Sequence, residues 1–136
     1  SQPLIYTGQE IGLNRRLAFF EKDSVKELVD LEYGKEYREF YKALCSFRHG
    51  NSALAAGANV APLVIMEGTP EEIFAFTRAN DENKVFCVFN FSAEAKKFTV
   101  TIDAAGDYTC ACGEAKSLKA GEVIELPAWG FMLLSK

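Results

Sequence analysis

Histidine is nearly absent: His49 is the only one among 136 residues. That removes most histidine-based catalysis and most His-rich metal chemistry before any motif is sought. No apolar run approaches the ~20 residues that a membrane-spanning helix needs. Positive charge is not in excess either. Fifteen Lys and Arg stand against nineteen Asp and Glu, a net charge of −4, so a surface that binds polyanions as a whole is not expected. The four cysteines, Cys45, Cys87, Cys110 and Cys112, show none of the paired C-x-x-C or Cys/His spacings of a zinc site. They read as reduced packing residues and lean toward a reducing, cytoplasmic compartment. Gly8 and Gly12 lack the further glycines of a dinucleotide loop, and no nucleophile elbow or phosphate loop is present. No cofactor, no metal site, no nucleic-acid partner and no membrane partner is expected.

What is present is an ordinary globular balance, 49% apolar and 25% charged, with eleven Phe. The length suits one domain, or a small domain with an appendage. Residues 1–54 carry eight basic and eight acidic groups, and residues 55–136 carry seven and eleven. The apolar period also changes between Ala53 and Gly57, which sets the expected domains at 1–54 and 55–136.

The first part opens on a short apolar strand, Leu4-Ile5-Tyr6, and a turn at Thr7-Gly8. Ser1-Gln2-Pro3 has neither the basic region nor the cleavage residues of a secretory leader, and a boundary inside a larger protein explains a lone opening strand best. Further on, Tyr33, Tyr37, Phe40, Tyr41, Leu44 and Phe47 fall at helical spacing, predicting a helix over about 33–48 with one broad apolar stripe. Glu39 and Lys42 form an i,i+3 pair worth about 0.3 kcal/mol. Arg48 and His49 suit the negative end of the helix, and Gly50 and Asn51 read as its left-handed stop. His49 as a general base is the sharper reading, and a cap on a helix end the preferred one. The stripe is too apolar to be left in water, so a covering surface is expected.

After Gly57 the period drops to two. Strands are predicted at Ala61–Met66, Ile73–Arg78, Val85–Phe91, Phe98–Ile102, Tyr108–Cys112, Val123–Leu126 and Phe131–Leu134, with turns at Gly68-Thr69-Pro70, Asn80–Asn83, Gly106-Asp107, Gly121 and Trp129-Gly130. The expected fold is mainly β, an antiparallel sandwich of seven to eight strands, Greek-key in type, preceded by a helical segment. Phe98, Val100 and Ile102 should share its dry face, and Cys110 and Cys112 one face of their strand. Trp129, in a turn after Pro127, is either a platform for the apolar face of a pyranose or a ring packed over the end of the sandwich, and packing is preferred.

The opening decapeptide, Pro3-Leu4-Ile5-Tyr6-Thr7-Gly8-Gln9-Glu10-Ile11-Gly12, resembles the last barrel strand and following loop of the α-amylase family of glycoside hydrolases. Leu17-Ala18-Phe19-Phe20-Glu21-Lys22-Asp23 is similar to the segment leading to that barrel's last helix. Tyr37 to Arg48, with Asn51, Leu54 and Gly57, is similar to the helix and the link beyond it. Phe74–Arg78, Val88–Ser92 and Leu126-Pro127 resemble the family's C-terminal β-sandwich.

The resemblance implies a piece of a larger enzyme that acts on α-glucans such as starch and maltooligosaccharides. The parent (β/α)8 barrel would hydrolyse or transfer glucosidic bonds with retention, using three carboxylates from upstream strands. None of those can match a residue here, so no catalytic residue is assigned and the chain alone is expected to be inactive. Gln9 and Glu10 would lie at the barrel face where active sites are built. They would border the substrate cleft or, as preferred, brace neighbouring loops. The expected partner is the rest of the barrel. A carbohydrate-binding module stacking sugar on Trp129 is the alternative. Leu4, Ile5 and Tyr6, taken out of a closed barrel, are expected to be mobile or to pair with a second copy of the chain.

Overall fold

The computed structural model describes residues 4–14, 16, 34–57 and 60–136. Pro3, the Leu17–Asp23 segment and Tyr33 lie outside the described residues. Two compact units divide at Cys45 and Ser46.

In the first unit, a 3-10 turn, Gln9–Ile11, is held between Gly8 and Gly12, both with left-handed φ (91° and 62°). At Gly12 a Cβ would collide with the ring of Tyr37, so both the turn and that ring require glycine. Ile11 is the buried residue of the turn. The expected strand Leu4–Tyr6 does not form: its three residues are exposed, and no described strand pairs with it. A strand exists only through its neighbours' hydrogen bonds, and an apolar pattern supplies none.

Helix α1, Lys35–His49, occupies the predicted span, with Glu36 in its first turn and Arg48 and His49 in its last. None of its residues is buried: Tyr37 and Phe40 are exposed and Tyr41, Leu44 and Phe47 half-buried, so the described part of the stripe is covered only in part. The Lys42–Glu39 pair is present at 4.0 Å between exposed side chains. The helix stop differs from expectation. Neither Gly50 nor Asn51 is left-handed; Asn51 has φ −123°. Instead the Asn51 amide donates to the Phe47 carbonyl at 2.6 Å, and Gly50 N–H donates to the Ser46 carbonyl. A side-chain cap thus satisfies the terminal acceptors that a glycine turn would otherwise take.

The second unit is all-β after the helix end. Eight strands form: β1 Leu63–Ile65, β2 Ile73–Ala79, β3 Lys84–Asn90, β4 Lys96–Thr99, β5 Gly106–Cys110, β6 Lys116–Leu118, β7 Val123–Leu126 and β8 Phe131–Ser135. One antiparallel sheet has the order β1-β2-β3-β8-β5-β6, and β4 pairs with β7 in a second. β6 has no counterpart among the predicted strands because Lys-Ser-Leu offers a single apolar residue, Leu118, to the core. The fourth predicted strand is displaced. Phe98 and Val100 are buried as expected, but a 3-10 turn at Ile102–Ala104 turns the chain out and leaves Ile102 81% exposed, with Ala104 buried instead. β5 stops at Cys110, so Cys112 stands in the turn beyond rather than on the same strand face.

The core lies between the two sheets. Ile73 and Ala75 from β2, Phe86 and Val88 from β3, and Leu134 from β8 meet Phe98, Val100 and Leu126 from the small-sheet side, with Tyr108 and Leu118 closing one end. Phe86 stands opposite Leu134 in register and its ring is 6.4 Å from that of Phe98. Tyr108 donates its hydroxyl to the Ala104 carbonyl at 3.1 Å, which lets a phenol sit in the core without an unmet donor. Cys87 is buried, as its place in a doubly covered strand implied.

On the outer side of β2 and β3 lies the segment that follows α1. Ala53 N–H donates to the Asn83 side chain at 2.9 Å, Asn80 donates to Ser52, and Arg78 donates to the Ala61 and Ala55 carbonyls. Arg48 reaches the Leu54 carbonyl at 2.7 Å.

Candidate functional site: an aromatic face and a clamped tryptophan turn

The alternation of β2 and β3 sends Ile73, Ala75, Phe86 and Val88 inward. It therefore sends Phe74, Phe76 and Phe89 outward. Here the outward set is as apolar as the inward one. Phe74 lies 5.5 Å from Phe76 and 6.4 Å from Phe89, whose ring stacks on Phe91 at 6.0 Å and on Phe131 at 6.4 Å. Five rings so form a continuous ladder across three strands, and Phe74, Phe91 and Phe131 are all exposed. A sheet face in water commonly carries polar residues at these positions; this one carries phenylalanines.

At one end of the ladder the chain turns through Pro127–Gly130. Asn90 closes β3 there, 2% exposed, and holds the turn. Its Nδ2 donates to the Pro127 and Glu94 carbonyls at 2.8 Å each and reaches the Leu126 carbonyl at 3.4 Å, while its backbone N–H donates to Gly130. Trp129 N–H donates to the Ser92 carbonyl at 3.0 Å. Gly130 is required on steric grounds, because a Cβ would sit 2.8 Å from the Pro127 ring. Trp129 is the one non-glycine residue with positive φ among the described residues, at 56°, and it is 65% exposed. The expected packing of its ring over the sandwich end is therefore not found. Bringing a tryptophan into the left-handed region costs on the order of 1–2 kcal/mol, and here that cost is not offset by burial.

The residues picked out at the start of the chain act on their own loop. Glu10 Oε2 accepts from Gly8 N–H at 2.9 Å and Gln9 Oε1 accepts from Tyr6 N–H at 3.2 Å. His49 ends α1, exposed. A shallow cleft of about 280 Å³ lies at the β1 margin of the sandwich, lined by Val64–Glu67, Thr77, Thr101 and Asp103, and contains none of these residues. Among the described residues no cluster of three or more His, Cys, Asp or Glu could hold a metal ion. Burial pushes the Cys87 thiol up to about 12 and raises Tyr108, both as consequences of packing. Sequence reasoning missed the ladder as a unit. Its signal was present in Phe74, Phe76, Phe89, Phe91 and Phe131, but strand register was needed to bring them together.

Residues 66–131 match the family model described as the alpha amylase C-terminal all-beta domain. Over those residues the chain belongs to the C-terminal all-β domain of the alpha-amylase family. The alpha-amylase MalA of Haloarcula japonica is 29% identical over 109 residues, covering 79% of this chain and 15% of that protein. Among solved structures, AmyP in complex with maltose superposes with a TM-score of 0.61 at 16% identity, over 76% of this chain and 21% of that one. The trehalulose synthase MutB from Pseudomonas mesoacidophila superposes at 0.54 and 22% identity, over 82% and 19%. At such identities the structural likeness shows a shared fold. The chain spans no more than 21% of the length of these relatives.

Proposed function

We propose that this chain serves as the accessory domain of a larger glycoside hydrolase acting on α-glucans, docked on the catalytic part through the phenylalanine ladder. The observation that carries the reading is the five-ring outer face, three of whose members are exposed. Phe74 and Phe131 are 38% and 37% exposed and Phe91 62%, so covering what remains is worth about 0.5–2 kcal/mol per ring, a contribution that helps to fix one domain against another. The short length of this chain beside MalA, AmyP and MutB supports a larger parent. In that reading residues 1–54 are the closing strand, loop and helix of the parent barrel, with the partly covered stripe of α1 turned to the rest of it. Gln9 and Glu10 brace the loop they belong to, as their bonds to Tyr6 and Gly8 suggest. The nucleophile and acid belong to the parent. The purified chain therefore releases no reducing sugar from starch or maltooligosaccharides, and measurable release would overturn the reading. The exposed ladder binds an apolar fluorescent dye, and replacing Phe74, Phe91 and Phe131 together by Thr abolishes that signal while the far-ultraviolet spectrum stays unchanged. Equal dye binding by the triple variant sinks the docking face.

A second reading, sugar stacking on Trp129, is supported by one specific observation: the indole is held out at 65% exposure on a clamped turn. Maltoheptaose titration followed by tryptophan fluorescence decides it. A saturable shift supports the platform, and no shift at millimolar sugar leaves the scaffold role alone.

A further inference from the structure

We propose that β1 is a self-pairing edge, through which two copies of this chain join their six-stranded sheets about a two-fold axis at Val64. The register and hydrogen bonds fix which backbone groups are open. β1 pairs with β2 as Leu63↔Arg78, Val64↔Thr77 and Ile65↔Phe76. Met66 N–H donates to the Ala75 carbonyl at 2.9 Å, which marks Met66–Ala75 as a hydrogen-bonded pair. Bonding alternates along an antiparallel ladder, so Val64–Thr77 is the next bonded pair and Leu63 and Ile65 turn their N–H and C=O groups away from β2. Among the described residues β1 is the last strand of its sheet, so those four groups face outward along its edge. The side chains are uncovered too: Leu63 and Val64 are each 50% exposed and Ile65 57%.

Edges are normally guarded by charge, and this molecule guards its other ones. β6, at the far side of the same sheet, carries Lys116 within the strand, whereas β1 carries no charge within it. In the small sheet β4 carries Lys96 and Lys97 and β7 carries Glu125, with Lys97 and Glu125 paired at 3.3 Å. From Val60 to Met66 there is no charged residue at all. An edge without charge gives no preference to an acidic or a basic partner strand, but it suits its own copy, since no like charges are brought face to face. With the axis at Val64, Leu63 meets Ile65 of the second copy and Ile65 meets its Leu63. Both are bonded pairs, making four backbone hydrogen bonds around a Val64–Val64 contact, an isologous closed interface. Three-residue strands bury little, so the dimer is a weak one that forms with concentration. The ladder lies on a sheet face and takes no part in this edge pairing.

Sedimentation equilibrium of the full chain from micromolar to millimolar concentration tests the proposal, together with amide hydrogen exchange at both limits. The wild type is expected to rise from monomer toward twice the monomer mass, with exchange at Leu63 and Ile65 slowing as it does. Val64→Lys should hold the chain monomeric with an unchanged circular dichroism spectrum. Leu63→Lys, on the opposite face of β1, provides the same test should Val64→Lys fail to fold. A wild type that stays monomeric throughout overturns the proposal. So does association that survives both lysine variants, or that Ile5→Asp abolishes while they do not.

Discussion

Asn90 offers a sharp test of how the tryptophan turn is held. Replacing it by Ala deletes two good hydrogen bonds, to the Pro127 and Glu94 carbonyls at 2.8 Å, and a long one to Leu126 at 3.4 Å. Each good bond lost with its acceptor left buried costs about 1–2 kcal/mol. Against that, Asn90 Oδ1 is buried with no partner, and removing it returns on the order of 1 kcal/mol of desolvation. The net expectation is a loss of about 1–3 kcal/mol, a fall in melting temperature of roughly 5–15 °C for a domain of this size. Urea unfolding should show a lower midpoint with an unchanged slope, and the Trp129 amide should exchange faster in the native state. Asn90→Asp separates the donor from the side-chain shape. A carboxylate cannot donate to three carbonyls and is buried, so its pKa is raised in the folded state. Stability of that variant, relative to wild type, is best below the unfolded aspartate pKa and is lost as pH rises through the folded one. A melting temperature for Asn90→Ala within 1–2 °C of wild type (too small for even one lost bond) would refute the clamp.

Cys87 makes the domain sensitive to alkali. Its thiol is pushed from 9.0 up to about 12, so the folded state keeps a proton that the unfolded state gives up; stability falls by about 1.4 kcal/mol per pH unit between those values. The same chain with Cys87→Ala should lose that share of the alkaline slope in pH-dependent urea titrations, while Tyr108, also raised by burial, keeps its own; an unchanged slope would refute the assignment to Cys87. In thiol labelling at pH 8, exposed Cys45 and Cys112 are modified in the native state and Cys87 only on unfolding. Trp129→Gly relieves the left-handed strain at φ 56° against a loss of backbone entropy of up to about 1 kcal/mol, so it should melt at or slightly above wild type; a clear drop on calorimetry would mean the indole contributes to folding. Phe86→Ala empties a position with no exposed surface and should cost about 3–5 kcal/mol in chemical unfolding. A loss below 1 kcal/mol would place the core elsewhere.

The order of residues by itself determined the elements whose burial pattern is written locally. α1 is legible because Tyr37, Phe40, Tyr41, Leu44 and Phe47 recur at helical period, and β2, β3, β7 and β8 because apolar alternation and turn residues bound them. The same order marked the family, through motifs that are contiguous in the chain. Tertiary structure decided what depends on distant partners. Leu4–Tyr6 has a strand's pattern without a strand's neighbours, while Lys116–Leu118 has scarcely a pattern yet pairs with β5. Ile102 alternates correctly with Phe98 and Val100, but the chain turns before it reaches the core. The ladder joins phenylalanines up to 57 positions apart, from Phe74 to Phe131, because β3 lies between β2 and β8. Trp129 stands out in water because a buried asparagine on another strand holds its turn. Periodicity reports which side of an element is dry, whereas pairing across the sheet decides which dry sides meet and which are left for a partner.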